Sequence, residues 1–238
     1  MPGPTHFPSG LSTSPTGASM YLMPFLDPTL YHTWFSDFDL FTAADWIITF
    51  GTTSSTAAAV GGDGGLVALS VAVAKEDELV SAQWDGNSGA AVNETFRWET
   101  AKKMFLKARF KISAGAADAV DCNFGLLITD TSPLDASDGI SFSMTDASAT
   151  ITAKVTKDST SSTQALGTVV AATFHTVAIA YIPGTGFQCY FDEAAVGSPI
   201  AVTNAPDDED LAVSINIQSG AVAITTMQFD YLLIAKER

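Results

Sequence analysis

The chain has 238 residues, 47% of them hydrophobic and only 16% charged, with a formal net charge of -15. This composition supports a sizeable core and excludes global disorder. The acidity argues against direct nucleic-acid binding, whose affinity comes mainly from neutralised phosphates, and no run approaches the roughly 18 apolar residues of a membrane-spanning helix.

The chain opens on an uncharged stretch. Met1 to Leu26 contain no Lys, Arg, Asp or Glu, and Pro2, Pro4, Pro8, Pro15, Pro24 and Pro28 interrupt any helix or central strand. Phe7, Leu11, Met20, Tyr21, Leu22, Met23, Phe25 and Leu26 nevertheless give it apolar content that disordered tails usually lack. We read residues 1–30 as an extended arm that needs a surface to lie on, and residues 31–238 as one antiparallel sandwich. Residues 20–30 are expected to wrap their own domain and residues 2–19 to reach outward. The first basic residue is Lys75, so neither a positively charged secretory n-region nor an arginine-rich transit peptide is present, and the chain is expected to be made in the cytoplasm.

Beyond the arm, period-two alternation dominates. "WIITF" begins at Trp46, and Trp84 ends "LVSAQW" at a turn, which makes Trp84 the best candidate for exposure among Trp34, Trp46, Trp84 and Trp98, with the core the better reading for all four. "KEDELV" places Glu76, Asp77 and Glu78 consecutively, so neighbours point to opposite faces. In "NETFRWE", Phe96 and Trp98 share one parity, and Asn93 begins a glycosylation-type triplet. In "KMFLKARFKI", Met104, Leu106, Ala108, Phe110 and Ile112 share one parity, and Lys103, Lys107, Arg109 and Lys111 the other. With Lys102 these make five of the eleven basic residues, readable either as a stripe that meets an acidic partner or as a solvated face balanced by neighbouring acids. "GLLITD" and "MQFDYLLIA" are nearly continuous apolar runs, as in strands covered on both sides. "ITAKV", "FQCYFD" and "LAVSINIQ" alternate again. Turn clusters such as "VGGDGG", "DTSPLDASDG", "IPGTG" and "NAPDDED" separate these runs. Their rhythm predicts an all-β antiparallel sandwich of the jelly-roll or concanavalin-like type with about a dozen strands.

Little in the sequence carries chemistry. His6, His32 and His175 lack metal-ligand spacing, and Cys122 and Cys189 sit in apolar runs as small buried hydrophobes. Asp130, Asp135 and Asp138, like Asp207, Asp208 and Asp210, lack a calcium-loop spacing and read as turn formers. No strand carries alternating acids that would face one cleft, the arrangement of laminarinase-like hydrolases. No catalytic, cofactor or metal residue is therefore assigned, and the expectation is a protein that is not an enzyme.

Several passages together resemble one family. "HFPSGLST" is similar to the Phe-Pro-Asn-Gly type of start on structural proteins of tailed bacteriophages, with Ser9 where Asn is usual. "DPTLYHTWFSDFDLFTAADWIITF", "FLKARFKIS", "GLLITDTSPLDASDGISF" and "SINIQSGAVAITTMQFDYLLIAKER" resemble phage head decoration (cement) proteins in the same order. The resemblance implies a structural virion protein on the outer surface of the head, commonly trimeric, that binds the major capsid protein and bridges capsomers without a cofactor. On that reading Phe7, Pro8, Leu11 and Met20 of the arm contact the capsid or a neighbouring copy, and Lys103, Lys107, Arg109 and Lys111 form an interface stripe. The final "FDYLLIAKE" is also like the closing strand of concanavalin-like lectin domains. The alternative is therefore a carbohydrate-binding module on a tail or fibre, and weak glycan contact is compatible with both.

Overall fold

The computed structural model describes residues 30–51, 55–61, 64–72, 77–86, 94–114, 119–220 and 224–238. Phe7, Pro8, Leu11 and Met20 of the arm, His6 and Asn93 lie outside them. The described residues form sixteen strands: β1 (Tyr31–Ser36), β2 (Trp46–Phe50), β3 (Thr56–Val60), β4 (Leu66–Val71), β5 (Leu79–Trp84), β6 (Phe96–Arg97), β7 (Met104–Ala114), β8 (Val120–Leu127), β9 (Gly139–Met144), β10 (Thr150–Lys157), β11 (Thr160–Thr168), β12 (His175–Ile182), β13 (Gly186–Phe191), β14 (Ala194–Ile200), β15 (Asp210–Ser219) and β16 (Thr225–Glu237).

They build two eight-stranded antiparallel sheets packed face to face. The first runs β14-β13-β12-β7-β16-β4-β3, with β1 also on β16; the second runs β11-β10-β9-β8-β15-β5-β2, with β6 also on β15. β16 is long enough for two partners on one side. Thr225–Phe229 pair with β4, and Leu232–Glu237 pair with β1. A register shift between Phe229 and Tyr231 separates the two halves.

The jelly-roll-type sandwich anticipated from alternation is observed, with more strands than the dozen expected. The excess lies largely at the margins. β3, β11 and β14 end their sheets with "TAAAV", "TSSTQALGT" and "AAVGSPI". An edge strand is half solvated, so it needs no apolar parity and tolerates Pro199. Two hairpins were equally silent in sequence. Asp158–Ser159 and Asp192–Glu193 turn with positive φ at both residues and no glycine, where Asn-Gly or Asp-Gly is the usual signal. Asp192 repays its strain locally: its carboxylate accepts from the Thr176 N–H at 2.9 Å and meets His175 Nδ1 at 2.9 Å.

The inward parities meet as predicted. Met104, Leu106, Ala108, Phe110 and Ile112 of β7 are buried, as are Leu211, Val213, Ile215 and Ile217 of β15. Phe110 and Phe229 of the first sheet interlock with Phe124 and Phe142 of the second, with ring centroids 5.1 Å apart for Phe110–Phe124 and Phe124–Phe229 and 5.5 Å for Phe124–Phe142. Trp98, Tyr181 and Phe187 form a second aromatic cluster, in which the Tyr181 hydroxyl donates to the Thr100 carbonyl at 2.7 Å.

Cys122 and Cys189 are free and buried on opposite sheets. Burial pushes both thiols up to about 12. Since the thiolate is the reactive form, a thiol reagent should leave the native protein unlabelled and label both cysteines after denaturation. Labelling of the native protein as fast as the denatured one would contradict the core position.

Candidate functional site

The outer face of the first sheet carries the basic stripe, and neighbouring strands balance it. Lys103 pairs with Glu237 at 3.4 Å and Lys107 with Glu193 at 2.8 Å, while Arg109 pairs with Asp230. Arg109 and Lys111 also lie over the Phe174 ring, 4.2 and 4.5 Å from its centre. Glu99 takes both Lys102 and Lys236, and these hydrogen bonds hold its carboxyl below the ordinary value. Between the charges lies an apolar cluster of Phe105, Ala178, Ala180, Tyr190, Leu233 and Ala235, with Tyr31 against it. This cluster explains the continuous apolar run of β16, whose Leu232 and Ile234 face the core and whose Leu233 and Ala235 face outward.

Apolar exposure concentrates on one stretch. Of the eight large hydrophobic side chains exposed among the described residues, Leu30, Phe35, Leu40, Ile47 and Phe50 fall between residues 30 and 50. Phe35 is 59% exposed and Leu40 81%. Phe35 also borders a hollow of about 180 Å³ with Lys107, Tyr231 and Leu233. Nearby, Trp34, Trp46 and Trp84 meet edge to face at 5.2 to 5.9 Å. Trp84 therefore belongs to an aromatic cluster, half-buried, rather than to an open platform.

The outer face of the second sheet is polar from β5 to β10. Register aligns Ser81, Asn216, Asn123 and Ser143 in one row, and Gln83, Ser214, Gly125, Ser141 and Lys154 in the next. Ser81 donates to Asn216 Oδ1 at 2.6 Å, and Asn216 Nδ2 donates to the Asn123 carbonyl at 2.8 Å. Residues 128–138, between β8 and β9, fold back over this floor. The Ile128 N–H closes the loop onto the Asp138 carbonyl at 3.0 Å. Asn123 Nδ2 donates to the carbonyls of Pro133 at 3.0 Å and Leu134 at 3.2 Å, and Gln83 grips the Asp130 backbone from both ends of its amide. Asp130 and Asp138 also shape the chain, through Ser132 N–H at 2.9 Å and Asp158 N–H at 3.1 Å. Both contacts fit the turn-forming role read from the sequence.

Beside the folded-back loop opens a cleft of about 440 Å³. Thr131 to Asp135 form part of its wall, Ser143 to Asp146 another part, and Leu79, Asp121, Cys122, Lys154 and Gln218 complete it. Asp121 accepts from the Asp146 backbone N–H. Burial, and then the charges of Asp146, Asp77 and Asp135, raise the Asp121 carboxyl above its ordinary value. Sequence reasoning singled out Asp135 only as a turn former and missed Asp121, Asp146 and Lys154. Parity holds a faint signal, because Asp121 and Asn123 alternate with the buried Cys122 and Phe124. Nothing local marks where they meet Gln218.

No protein-family model and no curated protein matches the sequence. Solved structures share the fold at low identity. A protein of unknown function from Shewanella oneidensis MR-1 matches with a TM-score of 0.58 at 13% identity, covering 100% of this chain and 96% of that one. An endo-beta-1,4-glucuronan lyase from Trichoderma reesei matches at 0.54 and 12%, covering 84% and 94%. An endo-1,3-beta-glucanase from Streptomyces sioyaensis matches at 0.54 and 13%, covering 88% and 98%. The chain thus has a jelly-roll fold that also carries carbohydrate-active proteins. This corrects the expectation that the protein is not an enzyme. That expectation leaned on the absence of alternating acids along one strand, yet the lyase and the glucanase stand on this same sandwich. Here, moreover, Asp121, Asp135 and Asp146 reach one cleft from three separate segments.

Proposed function

We propose that the chain is a structural protein of a phage particle, a decoration protein on the outer head surface that binds the major capsid protein and copies of itself as a trimer. The ordered likeness of five sequence passages supports this reading. The observation that carries it is the exposed apolar series Leu30, Phe35, Leu40, Ile47 and Phe50, directly continuous in sequence with the uncharged arm. Exposed apolar side chains mark interaction surfaces, and here they border both sheets: Phe35 lies beside Lys107 and Leu233 of the first, and Ile47 pairs with Gln83 of the second. β1 and β2 carry three of these residues, and β2 ends its sheet. An outermost strand can also take an added strand from a neighbour.

The test is density-gradient purification of particles followed by quantitative mass spectrometry. Copies comparable in number to the major capsid protein are expected. A handful of copies would move the protein to a tail or fibre, and absence from particles would overturn the assignment. Phe35→Ser combined with Leu40→Ser should lower binding to heads stripped of this protein. Folding stability should change by no more than about 0.5 kcal/mol per site, as for exposed positions. Unchanged head binding by that variant would remove Phe35 and Leu40 from the interface.

A further inference from the structure

The cleft on the second sheet is not used by the reading above, whose residues on that sheet, Ile47 and Phe50, lie on the edge strand β2 and do not line it. Its size falls within the roughly 300–1,000 Å³ of small-ligand sites. Its lining pairs hydrogen-bonding groups (Ser132, Ser143, Thr145, Gln218) with apolar surface from the partly exposed Leu79 and Leu134. That mixture suits a sugar, whose hydroxyls need donors and acceptors while its ring C–H faces need apolar contact.

The cleft is built on the polar outer face, where Asp121 of β8, Ser143 of β9 and Gln218 of β15 point the same way by strand alternation, and it opens where the loop held by the Asn123 amide ends its cover of that face.

Charge narrows the ligand. Asp121, Asp135 and Asp146 face a single lining cation, Lys154, on a chain of net charge -15. A polyuronate or sulfated chain would be repelled. We infer that this cleft binds a neutral or amino-bearing oligosaccharide, with Gln218, Ser143 and Lys154 as polar contacts and Leu79 and Leu134 as apolar ones.

The test uses the purified full chain, free of particles, so its outcome is independent of where the protein resides. Titration calorimetry would be run with a neutral β-glucan oligosaccharide, a chitosan oligosaccharide and a polyuronate oligosaccharide. Saturable binding to at least one of the first two, and none to the polyuronate, is expected. Gln218→Ala and Lys154→Ala should each weaken it roughly five- to tenfold, the equivalent of one lost hydrogen bond. Both sites are partly exposed, and an unchanged melting temperature would show that the variants fold. Ser143→Tyr, which fills the cleft, should abolish binding. No binding to either sugar, a preference for the polyuronate, or binding indifferent to all three variants would overturn the inference.

Discussion

Phe124→Ala is expected to destabilise the protein by about 3–5 kcal/mol, the range for a fully buried phenylalanine whose cavity cannot collapse. Phe124 is 0% exposed and touches aromatic rings of both sheets: Phe110 and Phe229 at 5.1 Å and Phe142 at 5.5 Å. Its loss removes three edge or tilted ring contacts, each adding to simple area burial. The site is also unable to shrink. The next residue, Gly125, has φ 138°, and a Cβ there would lie 2.8 Å from the Ile140 carbonyl oxygen and 3.0 Å from Leu106 Cδ2. Backbone is already packed to contact, so the cavity stays open. A chain of this size shifts its melting temperature by roughly 2–4 °C per kcal/mol, which predicts a fall of about 10 °C. Urea unfolding should show a lower midpoint at an unchanged slope. A loss below about 1 kcal/mol would mean that this aromatic cluster does not clamp the two sheets together.

The second large effect concerns the head. Deleting residues 2–19 should leave the melting temperature of the sandwich unchanged and lower its binding to stripped heads by two or more orders of magnitude. The deletion removes Phe7, Pro8 and Leu11 and retains Met20 next to the domain. Seating an apolar side chain such as Phe7 or Leu11 in a pocket contributes about 1.5–3 kcal/mol. Two such contacts convert to a hundredfold or more in each copy's affinity. Many copies on one shell multiply weak contacts into stable attachment, so the deficit should be largest at sparse occupancy. Co-sedimentation across a concentration series would measure it. Unchanged binding would shift the contact to Phe35, Leu40 and the edge strand β2. Loss of both binding and melting stability would instead mean that the arm belongs to its own fold.

Much of the architecture was legible residue by residue. Alternation in β7 and β15 assigned the core side of each, and the uninterrupted "YLLIA" of β16 foretold a strand covered on both faces. The outer cover there proved to be Phe105, Tyr190 and their neighbours. Strands whose composition is set by edge exposure, such as β11, were not legible, because half-solvated backbone places no demand on side-chain polarity. The basic stripe was legible, and so was a balance by acids on adjacent strands as one of its two readings, but not which acids supply it. Glu193, Asp230 and Glu237 lie 86 or more residues from the bases they meet.

The sequence by itself determined the class of fold, the parity of its long strands, the uncharged opening and the buried state of both cysteines. All of these follow from local pleat geometry and from the cost of exposing apolar surface. Only the tertiary structure decided what the polar faces became. Asp121, Asp135, Asp146, Lys154 and Gln218 share a cleft because antiparallel register sets β8 between β9 and β15 and because residues 128–138 fold back across them. Such a meeting depends on which strands pair and in what register, and a period of two carries no information about either.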